Sequence, residues 1–350
     1  MKFSLENVLR KNILELKAYT SARHEFTGNA SIFLDANENA FGSPIDEELN
    51  RYPDPLQWQL KFQLAKIKAL PAENIAIGNG SDELIDLLFR ICCNPSVDNV
   101  IVCPPTYGMY TVNAAINNVT VQQVPLTATF QLEVKNILNT INENTKLIFI
   151  CSPNNPTGNS VNKSDVEILL QQFNGIVVVD EAYINYSKQT SFIQQLTQYP
   201  NLVVLQTLSK AWGLAALRVG LCYASMQIID IINKVKPPYN INSASQQIAL
   251  KALNQLNLVN QWIKITINER EQLTAALMQL LFVEKVFPSD ANFILVKVSN
   301  ANHLYNYLTS KGIVVRNRSK EISCENCLRI TIGTPEENKN LLKALNTYNL

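Results

Sequence analysis

Apolar runs and helix-like segments alternate along the first two thirds of the chain. The runs are rich in β-branched residues and contain few polar positions, which indicates strands buried on both faces, as in a parallel sheet covered by helices. Helical patterns lie between them, for example over 82–93, 106–117 and 163–173. The predicted strands are IAIG (75–78), NVIVC (99–103), LIFICS (147–152), IVVVDEA (176–182), LVVLQTLS (202–209) and VGLCYA (219–224).

The pattern changes at KPPYNINS (236–243), where two prolines interrupt the alternation. One long amphipathic helix is predicted from about 245 to 281, and three further apolar runs then alternate with helices. These runs are ANFILVKV (291–298), GIVVR (312–316) and CLRITIG (327–333). We predict an α/β fold, with a large domain built on a central, mostly parallel sheet and a smaller α/β C-terminal domain. The predicted divisions are an N-terminal arm (1–30) packing with the small domain or a partner, the large domain (31–243), and the connecting helix with the small domain (244–350).

Composition excludes several classes of protein. The 350 residues are 47% hydrophobic and 17% charged, and 30 basic against 29 acidic residues give a net charge of +1. We therefore expect no nucleic-acid or membrane-surface partner, since both require clustered basic charge. No apolar run is long enough to cross a membrane, and the N-terminus lacks the apolar centre of a signal peptide.

Seven cysteines, an odd number, favour free thiols in a reducing, cytoplasmic setting. Cys324 and Cys327 have the spacing of a zinc or redox pair, but no second pair or histidine lies near them in the sequence. We interpret them as incidental thiols between strands and expect no metal site.

Polar residues follow several predicted strands, at the carboxyl edge where open α/β sheets bind ligands. Asp180 ends one strand and Tyr183 follows it, while Asn155 lies in a proline-rich turn after another. Tyr107 and Tyr110 follow a third strand in CPPTYGMY. These side chains are therefore expected to meet at one edge of the sheet.

The stretch IAIGNGSDELIDLLF predicts a strand, a glycine loop and a helix, an arrangement that presents free N–H groups to a phosphate. It is not a dinucleotide fingerprint, because Glu83 occupies the third glycine position, and no Gly-Lys-Ser/Thr follows as in a P-loop. In TLSKAWGLAALRVG (207–220), Lys210 is expected to be buried, where an amine suits Schiff-base chemistry, and Arg218 follows it.

Each of these residues also has a purely structural interpretation. Asp180 could cap a strand, Lys210 could lie on the surface, Arg218 could form a salt bridge and Tyr107 could belong to the core. Taken together, an amine, a buried carboxylate, an aromatic face and a phosphate loop with an arginine match the requirements of pyridoxal 5′-phosphate.

The chain resembles the fold-type I pyridoxal-phosphate aminotransferases and, within them, the narrower family of histidinol-phosphate aminotransferases. The resemblance covers nearly the whole chain. It rests on LDANENAFGSP (34–44), RYPDP (51–55), GNGSDELID (78–86), PPTYGMY (104–110), SPNNPTG (152–158), DEAY (180–183), TLSKAWGLAALRVG (207–220) and LRITIGT (328–334).

The resemblance implies a role for each matching residue. Lys210 would be the Schiff-base lysine, Asp180 the partner of the cofactor ring nitrogen, and Tyr107 the aromatic residue stacked on the ring. Tyr183 and Asn155 would bond the ring hydroxyl. The phosphate would be held by Ser81, Asp82, Ser209 and Arg218, with Tyr52 reaching it from the other subunit of a homodimer. The substrate would be bound by Arg329, which holds the α-carboxylate of glutamate, and by Arg316, Tyr19 and Asn37.

The implied activity is transamination between L-histidinol phosphate and 2-oxoglutarate, a step of histidine biosynthesis. The sequence departs from the commoner family pattern at Ala40, Trp212, Ala216 and AYTSARHE (18–25). These changes concern the substrate rim, so an aromatic or broad amino-acid aminotransferase and a threonine-phosphate decarboxylase of the same fold remain alternatives. A non-catalytic cofactor-binding regulator and a binding protein with an incidental lysine are alternatives of other classes.

Overall fold

A seven-stranded sheet forms the centre of the large domain, in the order β1-β7-β6-β5-β4-β2-β3. The structure is a computed structural model that describes residues 3–19, 31–46 and 49–348. Neighbouring strands are parallel except for β7, which runs antiparallel to both β1 and β6. The strands are β1 (Ile75–Asn79), β2 (Asn99–Val102), β3 (Thr120–Gln123), β4 (Thr145–Cys151), β5 (Ile176–Asp180), β6 (Leu202–Thr207) and β7 (Val219–Ala224).

Helices cover both faces of this sheet, as the continuous apolar strands predicted. In β5, Val177 and Val179 belong to one hydrophobic cluster, while Ile176 and Val178 belong to another on the opposite face. The first cluster includes α2 (Trp58–Lys68), α5 (Val134–Thr140) and α6 (Lys163–Gln172). The second includes α1 (Lys11–Glu15), α3 (Gly80–Cys92), α4 (Met109–Ile116) and α7 (Met226–Val235).

Strand register aligns the polar residues at the carboxyl edge. Cys151, the last residue of β4, lies opposite Asp180, the last residue of β5. Asp180 in turn lies opposite Leu205, two residues before the end of β6. The segments that leave β4, β5 and β6 therefore start side by side, which positions the functional side chains.

The C-terminal sheet is antiparallel, in the order β10-β11-β9-β8. Its core combines Leu273 and Leu277, Leu304, and Leu341 and Leu345 from three helices. The last helix starts with a capping box between Thr334 and Glu337. The elements are α8 (Ser243–Leu253), α9 (Leu256–Leu277), β8 (Val283–Val286), β9 (Phe293–Val298), α10 (Ala301–Ser310), β10 (Arg316–Asn317), β11 (Cys327–Thr331) and α11 (Pro335–Asn346).

Two predicted elements differ from the structure. The single helix over 245–281 is wrong, because a turn at Asn254 and Gln255 separates α8 from α9; asparagine is a poor helix former. The strand over 312–316 is also wrong, since Gly312, at φ +77°, lies in the turn after α10 and only Arg316–Asn317 pairs.

The described part of the N-terminal arm packs on the large domain. Val8, Leu9 and Ile13 are buried in the cluster of α3 and α7, and the Lys234 amine donates to the carbonyl of Ile13 at 3.0 Å. Residues 20–30, and with them most of AYTSARHE, lie outside the described residues. The packing of the arm with the small domain or a partner, and the domain boundaries, stay predictions.

Candidate active site

The carboxyl ends of β4, β5 and β6 open into a cavity. Nine of the ten predicted cofactor residues line it, together with Cys151, Ala182 and Thr207. The tenth, Tyr52, lies elsewhere on the surface. The structure brings these side chains together, while their individual roles stay predictions. The nine are Ser81, Asp82, Tyr107, Asn155, Asp180, Tyr183, Ser209, Lys210 and Arg218.

One end of the cavity is a close backbone approach between the β1–α3 turn and β7. Gly80, at φ +77°, donates its N–H to the carbonyl of Arg218 at 2.6 Å. A Cβ atom at Gly220 would lie 2.2 Å from the backbone nitrogen of Ser81, so only glycine fits there. The first N–H groups of α3 have no acceptor within the helix, and they make this end attractive to an anion.

Polar side chains complete that end of the cavity. An Arg218 Nη atom lies 3.3 Å from the Asp82 carboxylate, and the Tyr107 hydroxyl donates to the other oxygen of Asp82 at 3.0 Å. Ser209 donates its N–H to the Thr207 hydroxyl at 3.0 Å. A guanidinium, hydroxyls and a helix N-terminus form a donor set that fits a phosphate group.

Asp180 also lines the cavity and is only 3% exposed. The Tyr110 hydroxyl donates to its Oδ2 at 2.8 Å, and the Ala182 N–H donates to its Oδ1 at 3.1 Å. Burial raises the pKa of Asp180 to about 6, although both hydrogen bonds oppose the rise by favouring the ionised form. Such a carboxylate is suited to pairing with a protonated ring nitrogen, which would offset the cost of burying its charge.

Lys210 is exposed in the single chain, so the prediction that it is buried is wrong. It lies in the turn after β6, on the open side of the cavity, with its amine 5.5 Å from the centre of the Tyr183 ring. The surrounding protein still removes enough water to lower the pKa of Lys210, and the charge of Arg329 lowers it further. A lowered pKa increases the fraction of neutral amine, the form that reacts with carbonyl groups.

The small domain contributes Arg329, on β11, to the edge of the cavity. Its guanidinium donates to Oδ1 of Asn155 at 2.5 Å and lies 5.2 Å from the centre of the Phe293 ring. Phe293 packs edge-on against Tyr183, with ring centres 5.1 Å apart. Arg316 lies directly opposite Arg329 in the strand register. These contacts put a cationic fork beside the residues of the cavity.

Tyr19, Asn37 and Tyr52 are not brought to the cavity of the same chain, and Arg316 does not line it either. Tyr19 is 72% exposed and lines a cleft between α2 and α7. Asn37 and Tyr52 line a second cleft, where the Tyr52 ring stacks on Tyr239 with ring centres 4.6 Å apart. Their predicted contacts with cofactor and substrate are not made within the described chain, so these roles stay predictions.

Sequence reasoning missed two contacts in the site. Tyr110 follows a predicted strand, but its hydrogen bond to Asp180 was not predicted. The available signal was its position near the start of α4, close to the same sheet edge as Asp180. Phe293, which separates Arg329 from Tyr183, carries no signal that distinguishes it from other core residues of its strand.

Comparison with known proteins agrees with this geometry. The family Aminotransferase class I and II matches residues 34–345. The chain is 54% identical to a histidinol-phosphate aminotransferase from Flavobacterium psychrophilum over 98% of both chains. It is 51% identical to another from Cytophaga hutchinsonii, over 99% of this chain and 100% of that one.

The crystal structure of the histidinol-phosphate aminotransferase from Clostridium acetobutylicum matches with a TM-score of 0.77 and 25% identity, covering 85% of this chain and 90% of that chain. The identities of 54% and 51% to the two relatives over nearly the whole chain confirm the resemblance inferred from the motifs. The structural match confirms the fold that this resemblance implied. The chain therefore belongs to the pyridoxal-phosphate-dependent aminotransferases of class I and II, and within them to the histidinol-phosphate aminotransferase family.

Proposed function

We propose that the chain transfers the amino group of L-histidinol phosphate to 2-oxoglutarate, giving imidazole-acetol phosphate and L-glutamate. The observation that carries the proposal is that Lys210, Asp180 and Asn155 line one cavity, with Arg329 bonded to Asn155. An amine, a buried carboxylate and a guanidinium are then available to one substrate. The names of the relatives supply the identity of the amino donor.

The cavity fits pyridoxal 5′-phosphate at both of its charged ends. When bound, this cofactor supplies an aldehyde and a ring that accepts electrons from the substrate. The α3 N-terminus and Arg218 would hold its phosphate, and Asp180 would accept a hydrogen bond from its protonated ring nitrogen. Tyr183 and Asn155 would donate to its ring hydroxyl, while Tyr107 would cover its face.

Lys210 would move the proton at the substrate carbon that carries the nitrogen. Its lowered pKa favours the neutral amine that accepts this proton, and its position on the open side lets it approach an incoming substrate. Asp180, fixed by two donors that favour its ionised form, would keep the ring nitrogen protonated.

The same site must accept a phosphate monoester and a dicarboxylate in turn. Arginine suits both, because its planar fork binds carboxylate and phosphate groups in a bidentate manner. Arg329, held by Asn155, is our candidate for the α-carboxylate of glutamate, and Arg316 for the far end of either substrate.

A panel of amino donors with 2-oxoglutarate tests the reaction. We expect histidinol phosphate to give the highest kcat/KM among histidinol phosphate, histidinol, aromatic amino acids and threonine phosphate. A preference for an aromatic amino acid, or release of carbon dioxide from threonine phosphate without consumption of 2-oxoglutarate, would replace the proposal with one of those alternatives.

We further propose a homodimer in which Tyr52 completes the partner's site. The segment that carries Tyr52 exposes an unusual amount of apolar surface: Leu34 is 86% exposed, Phe41 100% and Ile32 75%. Exposed apolar side chains concentrated in one segment mark an interaction surface. A two-fold dimer would bury this segment of both subunits. Tyr52 is itself 51% exposed and lies outside the cavity of its own chain.

Mixing two defective variants tests whether Tyr52 acts on the partner. A heterodimer of Lys210→Ala with Tyr52→Ala chains contains one site that keeps Lys210 and borrows an intact Tyr52. We expect this site to recover the cofactor affinity of the wild type. If its affinity stays at the level of the Tyr52→Ala homodimer, Tyr52 acts within its own chain.

The described residues contain no helix that is both long and apolar enough to cross a membrane. All seven cysteines are unpaired and buried. We place the enzyme in the cytoplasm on the basis of these free thiols.

A further inference from the structure

Three arginines share one face of the small-domain hairpin formed by β10 and β11. Arg316 lies opposite Arg329 in the register. The backbone N–H of Arg318 donates to the carbonyl of Cys327 at 2.8 Å, which extends the ladder one residue beyond Asn317. Directly opposed residues, and residues two apart along a strand, project from the same face. Arg318 therefore joins Arg316 and Arg329 on the face that meets the cavity at Asn155.

The loop after Arg318 is held in one conformation by backbone bonds. The Glu321 N–H donates to the carbonyl of Arg318 at 2.9 Å, and the Cys324 N–H donates to the carbonyl of Glu321 at 3.1 Å. Asn317 anchors the strand to α10 by donating to the side chain of Asn302 at 2.8 Å. A loop whose backbone is already hydrogen-bonded loses little backbone freedom when a ligand binds next to it.

The charge of this group is poorly balanced. Among the described residues, one of the three guanidinium groups has a carboxylate partner: that of Arg318 lies 3.3 Å from Glu321, which is itself 40% exposed. The Nε atoms of Arg318 and Arg329 and the hydroxyl of Ser319 are buried and without hydrogen-bond partners among those residues. Buried donors and unmatched positive charge in one place point to an anionic ligand.

Arg318 is also electrostatically close to the reacting groups. Apart from burial, its charge is the largest influence that lowers the pKa of Arg329, ahead of Arg316. It also acts to lower the pKa of Tyr183, which lines the cavity. The positive charge of Arg318 therefore acts on Arg329 and on Tyr183, a residue that lines the cavity.

We propose that Arg318 is a specificity-determining residue that binds the phosphate group of the amino donor, together with Arg316. This inference rests on the proposed function, since it assigns a residue to that substrate. A phosphate monoester carries nearly two negative charges and three acceptor oxygens, so it can use two cationic forks where a carboxylate uses one. Arg329, already bonded to Asn155, remains available for the α-carboxylate of glutamate.

Substitution of Arg318 by glutamine in the cofactor-loaded enzyme tests the proposal. Arg318→Gln removes a charged hydrogen-bond donor to the phosphate. We expect it to lower kcat/KM for histidinol phosphate by about 10- to 100-fold, mainly by raising KM. The decrease for 2-oxoglutarate should be several-fold smaller, and activity with unphosphorylated histidinol should not change. Arg318→Lys, which keeps the charge but not the fork, should restore part of the loss.

Lys320→Gln is the matched control, because it removes one positive charge from an exposed side chain of the same loop. It should leave both kcat/KM values near those of the wild type. An unchanged kcat/KM for histidinol phosphate in Arg318→Gln, or equal losses for both substrates, overturns the proposal. A wild-type enzyme that does not use histidinol phosphate at all refutes the proposed function instead.

Binding of inorganic phosphate provides a readout that does not depend on turnover. Phosphate should raise the melting temperature of the wild-type enzyme through the poorly balanced arginines, and Arg318→Gln should reduce this rise while Lys320→Gln should not. Equal rises in all three proteins would contradict the assignment, even if the Arg318 variant were less active for structural reasons.

Discussion

Replacement of Asp180 by asparagine should make the cofactor-free protein more stable at neutral pH, although it should abolish efficient turnover. The carboxyl group is buried, and its pKa rises from 3.8 to about 6 on folding. The folded state therefore holds the proton more tightly than the unfolded state. The stability that this group contributes is complete below about pH 4 and is lost as the pH rises through about 6.

The magnitude follows from the size of the shift. About two pH units correspond to about 3 kcal/mol of lost stability at pH 8 compared with pH 4, and roughly half of this loss falls between pH 5 and pH 8. Asparagine does not titrate, so it avoids this cost. It offers one acceptor oxygen to Tyr110 and Ala182 where the carboxylate offers two, which costs about 1 kcal/mol. The variant should therefore be about 1–2 kcal/mol more stable than wild type at pH 8.

Urea denaturation of both cofactor-free proteins between pH 5 and pH 8, at one protein concentration, measures the difference. Other titrating groups are common to both proteins and cancel. The stabilisation by Asp180→Asn should grow with pH, and kcat should fall more than KM rises in the loaded enzyme. A difference in unfolding free energy that does not change with pH would show that Asp180 ionises normally, and the reasoning would fail.

Tyr110→Phe is the matched variant for the same measurement. It removes the 2.8 Å hydrogen bond that favours the ionised carboxylate, without removing the ring that packs on Phe149. The pKa of Asp180 should then rise further, and the pH range over which stability is lost should move upward.

Two further substitutions test the remaining parts of the cavity. Lys210→Ala should retain the cofactor, held by Asp180, Arg218 and the glycine turn, yet lose the visible absorbance of a lysine-linked cofactor and at least about 100-fold in transamination rate; near-normal turnover would refute its assignment. Gly220→Ala should cost about 1–3 kcal/mol and weaken cofactor binding, because its Cβ would lie 2.2 Å from backbone atoms of Gly80 and Ser81. Gly108→Ala is the control, because no atom lies within 4 Å of its added Cβ, and it should change stability by less than about 0.5 kcal/mol. Calorimetry of both variants measures the two changes in stability, and equal changes would contradict the role of Gly220.

The central strands could be predicted because burial on both faces leaves a continuous apolar run. The edge strand β3 was missed, since TVQQ is half exposed and lacks that pattern. The strand β8, VEKV, was missed for the same reason. The direction of β7 could not be predicted either, because an apolar run does not record whether its neighbours are parallel or antiparallel.

Most of the cavity residues could be predicted because strand ends collect at one edge of a sheet, whereas Ser209 was implied only by the family resemblance. All nine candidates line the cavity. Contacts that depend on tertiary packing could not. The exposure of Lys210 and the bond from Tyr110 to Asp180 arise from the turn after β6 and from the placement of α4. Tyr19, Asn37 and Tyr52 lie outside the cavity of their own chain, and their motifs carry no information about where the folded chain places them.

Several charged groups of the cavity are electrostatically unfavourable without a ligand, and a bound cofactor would neutralise them. Asp180 is a buried carboxylate with a pKa of about 6, and Lys210 is an exposed amine whose charged form is disfavoured by partial desolvation and by Arg329. Arg218 has only a half-exposed contact with Asp82 at 3.3 Å. A ligand with a protonated ring at one end and a dianion at the other would neutralise Asp180 and Arg218 at once. The same unfavourable charges would therefore lower the stability of the cofactor-free protein and favour binding of the cofactor. Variants such as Asp180→Asn should stabilise the cofactor-free protein and lower its affinity for the cofactor.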